Sequence, residues 1–310
     1  MNDFLWLPFL VSLLAAGVRL ATPLLFAALG GITNELSGVL NIGLEGMLIA
    51  GTFGAYLGAL LSGSEWGGAL GGLLAGGLLG LLFAFLSITM RADQVVLGTG
   101  LNIFALGLTS FFFRSMYKAG ISQFVPSFEV WNVPLLSDIP FIGQIFFRQV
   151  PLVYLAYGLI PLFTFLLYKT TWGLKLRCCG EHPRAAETVG VNVVKTRYLA
   201  LILSGMLAGL GGTFLSLGQI SAFTEGLVSG RGFIALAAII FGRWKPVNVA
   251  LACLLFGVAD ALQLRLQGFG LPIRYEFLLM FPYLLTLITF VVFVNRGDSP
   301  ASLGKPYPEK

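Results

Sequence analysis

Charge is what this chain of 310 residues has least of: Asp, Glu, Lys and Arg make up 11% of it. A soluble domain carries roughly 25%, so a water-exposed globule is excluded. Histidine is nearly absent. His182 stands alone, and a His-based metal cluster or a Ser–His–Asp triad cannot be assembled around it. The three cysteines, adjacent Cys178 and Cys179 plus Cys253 in an apolar run, give neither metal spacing nor a disulfide framework. No GxxxxGK[ST] stretch is present to cradle phosphate, and no GxGxxG follows a strand. There is no row of regularly spaced arginines, as a voltage sensor needs, and no carboxylate-plus-histidine relay of the kind proton pumps use. Uphill transport by this chain would therefore draw its energy from another chain.

What is present is apolar. Hydrophobic residues make up 57% and the mean hydropathy is +0.88, which reads as a multi-spanning membrane protein. The 40 glycines suggest close helix packing and broken helices. The net charge of +5 is no nucleic-acid signature, because the cations flank apolar runs instead of forming a patch with aromatics. The first run lacks a basic start and a small-residue cleavage site, so it reads as a retained span and not a signal peptide.

A crossing helix needs about 20 mostly apolar residues. Runs at 4–29 (interrupted by Arg19), at about 47–61 after a polar break, and at 66–88, 95–113, 151–168, 198–219, 247–263 and 277–293 fit that measure. The run 233–242 reaches only about 15 Å as helix. With its neighbours it either crosses at a tilt or forms a half-helix. The loop 114–150 carries Pro126, Pro134 and Pro140, and the polar, proline-containing tail is expected to be disordered.

The most polar internal segment is 169–197, KTTWGLKLRCCGEHPRAAETVGVNVVKTR. It holds six of the 19 Lys and Arg residues (Lys169, Lys175, Arg177, Arg184, Lys195, Arg197), opposed only by Glu181 and Glu187. Positive charge near span ends marks the cytoplasmic side, which predicts this loop inside, 114–150 outside, the N-terminus outside and the tail inside. Within it, Pro183 suits a first helical position, Ala185, Ala186 and Val189 form an apolar stripe, and Gly190 suits a stop. Such a helix is either a docking element for a soluble partner or part of a solvated connector.

The break at 30–46, GGITNELSGVLNIGLEG, is too polar for helix in lipid. It predicts Asn34, Glu35, Ser37, Asn41 and Glu45 at membrane depth, where irregular backbone is tolerated only inside protein or along a water-filled path. Ionisable residues there are usually functional. The bland alternative puts Glu35 and Glu45 at the inner interface, facing water or paired with Arg91. Gln94, Gly98 and Asn102, with Thr99 nearby, recur on one helical face, either as a polar path wall or as small-residue packing. Asp260, late in a span, either sits near the outer interface or pairs with Arg265.

Three stretches, GGITNELSGVLNIGLEGM, GEHPRAAETVGVNV and GRGFIALAAIIFGRWKP, resemble in order and spacing the permease subunits of ATP-binding-cassette importers. More narrowly they resemble the nucleoside and simple-sugar branch, related to ribose and branched-chain amino-acid permeases. The likeness spans about residues 20–293. It implies an all-α membrane fold of about nine crossings, one permease domain over 1–297 and a polar tail over 298–310. It implies a coupling helix near 183–189, seated in a groove of an ATPase subunit, with Glu181, Pro183, Arg184, Ala185, Ala186, Glu187 and Gly190 matching the motif. Arg184 and Glu187 would make polar contacts, and Ala185 and Ala186 would keep the helix slim. The Cys178–Cys179 pair stands where small or apolar residues are expected and suggests no redox chemistry. The implied partners are that ATPase, which binds ATP and Mg, a second permease subunit (similar or identical), an extracellular binding protein or lipoprotein, and membrane lipid. This chain would hold no cofactor and do no covalent chemistry, in the plasma membrane of a prokaryote. The alternatives are a sugar or branched-chain amino-acid permease of the same superfamily, or a stand-alone channel or secondary transporter with its own ion-coupling site. An intramembrane enzyme is disfavoured, since no nucleophile, base or metal set converges.

Overall fold

The structure, a computed structural model, describes residues 3–117, 122–268, 277, 280, 284 and 299–307. Its helices begin and end where the local chemistry dictates. α1 (Asp3–Leu36) runs straight through Gly30 and Gly31, so the break is shorter than the sequence suggests and lies at 37–43. The turn there depends on Gly38, at φ +90°, a backbone state a side chain disfavours by roughly 1–2 kcal/mol. α2 (Leu44–Ser62) leads through a short turn into α3 (Glu65–Ala84), whose Ser64 side chain caps the Trp66 amide. α3 continues as a π-helical turn, Phe85–Thr89. Asp93 then caps α4 (Gln94–Met116) by accepting from the amides of Val95 and Val96.

The long loop that follows holds a short helix, α5 (Ile142–Phe146), and a two-residue antiparallel pairing of Trp131–Asn132 with Arg148–Gln149. α6 (Pro151–Lys169) starts on proline, as first helical turns allow. Thr170 caps α7 (Thr171–Glu181), a helix the composition of 169–197 does not announce. α8 (Pro183–Thr188) follows at the predicted place. Asn192 accepts from the Lys195 amide and starts α9 (Val193–Thr213) five residues earlier than the apolar run begins. α9 passes into a π-helical segment, Phe214–Ile220. α10 (Arg231–Phe241) and α11 (Pro246–Gly268) complete the described helices.

Among the described residues, seven helices are long and apolar enough to cross a membrane. α10 is not one of them: its eleven residues rise only about 16 Å. The run 277–293, read as the ninth crossing, lies outside the described residues apart from isolated positions.

The interior is built on close backbone approach. α2, α3 and α9 form its centre. A methyl at Gly209 would sit 2.2 Å from the Gly72 carbonyl oxygen, and one at Gly76 would sit 2.2 Å from the Gly205 oxygen. No side chain fits, and the three backbones lie in direct contact. α1 docks on α11 the same way, with Gly257 against Gly17 and Ala21. The tail, expected to be disordered, is instead ordered over 299–307: Ser302 is buried and bonded to the Gly180 backbone. It finds there the fixed partners that composition alone cannot foresee.

Gly209→Ala should lower thermal stability in detergent by roughly 1–3 kcal/mol, the usual cost of overpacking. Gly100→Ala, on an open face of α4 with nothing within 4 Å, should be neutral or slightly stabilising. A thermal scan of the two purified variants checks both.

Candidate functional site

The residues predicted around the break meet inside the protein. Asn34, Glu35, Ser37, Asn41, Glu45 and Gln94 are buried and Asn102 is half-buried. Their bonds go mostly to the break's own backbone. The Asn34 side-chain amide donates to the Val39 carbonyl at 3.0 Å. Asn41 Oδ1 accepts from the Gly43 amide at 3.0 Å. Gln94 Oε1 accepts from the Leu40 amide at 2.7 Å. Asn102 closes the far side: Nδ2 donates to the Ile42 carbonyl at 3.1 Å, and Oδ1 accepts from the Gly46 amide at 2.7 Å. Gly98 lies flat against Ile42 and Gly43. The face Gln94–Gly98–Asn102 thus combines polar bracing with small-residue packing, while Thr99 points away and is exposed.

The two carboxylates anchor α10 at both ends. Glu45 accepts from the amides of Gly230 (2.8 Å) and Gly232 (2.6 Å), so it neutralises the positive end of that helix. A methyl at Gly232 would meet the Glu45 backbone at 2.5 Å. At the other end the Trp244 indole donates to Glu35 Oε2 at 2.6 Å. Neither carboxylate faces open water. Asp260 lies 3.6 Å from Arg231, not against Arg265, which reaches the Phe9 carbonyl instead. The preceding segment folds inward: Phe223 is buried among Phe53, Tyr56 and Phe113. Glu225 holds Arg114 at 2.7 Å, which keeps the Glu225 carboxyl below its usual range.

The second predicted set sits on α8 and its flanks. Pro183 opens the helix and Gly190, at φ +83°, ends it. Arg184, Ala185, Glu187 and Val189 are exposed, Val189 by 78%. Ala186 departs from the expected slim outer face: it is 3% exposed and packs inward with Cys179 and Val193. The outward tip is therefore Arg184, Ala185 and Val189. Burial pushes the Cys179 thiol above its ordinary value, as suits a packing residue. A groove of about 610 Å³ opens beside the helix between Glu187, Asn192, Lys195 and Tyr307. Among the described residues no group of His, Cys, Asp or Glu could hold a metal ion. Trp244, Arg197 and Tyr307 carry much of the arrangement, and the sequence singles out none of them as a site residue. Arg197 was counted there only as loop charge, and no local pattern links Trp244 to Glu35 across 209 positions.

A bundle of helices long and apolar enough to cross a membrane, a short helix held by buried carboxylates and an exposed loop helix fit a membrane permease. The chain belongs to the family described as branched-chain amino acid transport system / permease component, which matches residues 13–293. It is 41% identical over 299 residues to the guanosine ABC transporter permease protein NupQ of Bacillus subtilis (strain 168), with 93% of each chain covered. It is 38% identical to the nucleoside ABC transporter permease protein NupC of Lactococcus lactis subsp. cremoris (strain MG1363), again with 93% of each covered. The putative glucose ABC transporter permease protein TsgC13 of Haloferax volcanii is 37% identical over 86% of this chain and 80% of its own. The same three organisms each hold a second, more distant permease relative at 24–27% identity. No solved structure matches the chain.

Trp244→Phe should destabilise the protein by about 1–3 kcal/mol, because it leaves the Glu35 carboxylate buried without its donor. Adding Glu35→Met should restore part of that loss, since both partners are then apolar. A double-mutant cycle on unfolding in detergent measures this.

Proposed function

We propose that this chain is one of two permease subunits of an ATP-binding-cassette importer for a nucleoside. The observation that carries the reading is the projecting α8 tip, Arg184, Ala185 and Val189, on the one loop where positive charge concentrates. In this reading 169–197 faces the cytosol and the N-terminus lies outside. α8 seats in a groove of a separate ATPase, which binds ATP and Mg and supplies the energy. Glu181 and Glu187 flank the seat, Pro183 and Gly190 fix the helix ends, and Ala186 anchors it from behind. A binding protein or lipoprotein delivers solute to the outer face.

The break, with Asn34, Glu35, Ser37, Asn41 and Glu45 and its braces Gln94 and Asn102, shapes the wall of the path. Irregular backbone at that depth is the part of a helical bundle that can exchange partners with least loss. The second permease is a different chain: relatives in three organisms come in pairs, one near 40% identity and one near 25%. A simple sugar is the second reading, favoured by the likeness to TsgC13.

The test is uptake by proteoliposomes holding this chain, its second permease and its ATPase. Guanosine should outcompete glucose; the reverse order supports the sugar reading. Ala185→Arg and Val189→Glu should each weaken ATPase co-purification at least about tenfold, or about 1.4 kcal/mol, while membrane levels hold. Full uptake with either variant would remove α8 as the dock.

A further inference from the structure

Residues 299–307 bond to α7, α8 and the break and pack against α9. The Ala301 amide donates to Glu181 Oε2 at 3.4 Å. The Ser302 amide donates to the Gly180 carbonyl at 2.9 Å, and the Gly304 amide to the Gly38 carbonyl at 3.2 Å. The Tyr307 hydroxyl donates to Glu187 Oε2 at 2.5 Å, which raises the phenol above its ordinary value. The Tyr307 ring packs with Ala186, Cys179 and Val193 behind α8.

Arg197 completes the connection. It is 2% exposed, a costly place for a guanidinium. Its Nε donates to the Ser37 carbonyl at 3.0 Å, at the negative end of α1. Its charged carbon lies 5.7 Å from the centre of the Tyr307 ring, within cation–π range. Nη2 is buried without a hydrogen-bond partner. A continuous series of contacts therefore runs from Glu187 on α8 through Tyr307 and Arg197 to Ser37 in the break, and a second runs from Gly180 through the tail to Gly38. α8 itself is six residues long and buries only Ala186, so by itself it could tilt without disturbing the membrane helices.

We propose that the tail is a strut that makes α8 and the break move as one body, with Tyr307 and Arg197 as positioning residues that pass displacement from the ATPase to the path. This rests on the reading of α8 as the ATPase dock. A chain of packed and hydrogen-bonded groups joining two sites is one physical route by which coupling between them is carried.

The experiment compares four full complexes in proteoliposomes: wild type, a chain ending at Asp298, Tyr307→Phe, and Ala185→Arg as the control for docking. The truncated chain should retain its ATPase and hydrolyse ATP. It should carry at least about fivefold less solute per ATP, the lower end of ordinary coupling free energies. Hydrogen exchange at the amides of Gly38 and Val39 should quicken. Tyr307→Phe, which keeps the ring over Arg197 and loses one bond, should fall between. Unchanged solute per ATP in the truncated chain overturns the proposal. So does loss of the ATPase, which would make the tail part of the dock. If truncation prevents insertion, an unaltered ratio in Tyr307→Phe overturns it. A normal Ala185→Arg complex defeats the docking reading itself. A defective one beside normal strut variants defeats only the strut.

Discussion

A buried peptide group without a hydrogen-bond partner costs about 1–3 kcal/mol, and residues 37–43 leave the helix in the protein interior, buried or half-buried. The rest of the site follows from meeting this cost. Gln94 and Asn102 hold the backbone of the break from α4, Asn34 and Asn41 hold it from within, and Arg197 takes the Ser37 carbonyl. The same economy explains the short helix. Two amides at the start of α10, those of Gly230 and Gly232, are met by Glu45. A carboxylate and a helix end that would each be costly alone are buried together.

Two kinds of contact divide the bundle. α2, α3 and α9 touch backbone to backbone through glycines, an arrangement with no side chains to repack and so little scope for sliding. Around the break, α10 and α8 the contacts include many hydrogen bonds made by side chains and by the tail's backbone, and these can exchange partners. Motion between alternative states would concentrate in the second group while the first serves as frame. The tail belongs to the second group and spans it.

This division suits a subunit that performs no covalent step. Membership of a family of transport permeases agrees with that. The polar side chains satisfy the protein's own backbone.

Membrane class, most span positions, the α8 helix and the family were all legible in the sequence. Each depends on something local: apolar length, a proline at a helix start, a glycine at its end, or a run of motif residues. The depth and company of the polar residues were not legible. That Ala186 turns inward, that Glu35 meets Trp244, that Arg197 is buried, and that a polar tail is ordered all depend on groups far apart in the chain. Local pattern states what a residue prefers; only packing determines which distant partner meets that preference, because burial raises the cost of an unmet hydrogen bond or charge until the fold must supply one.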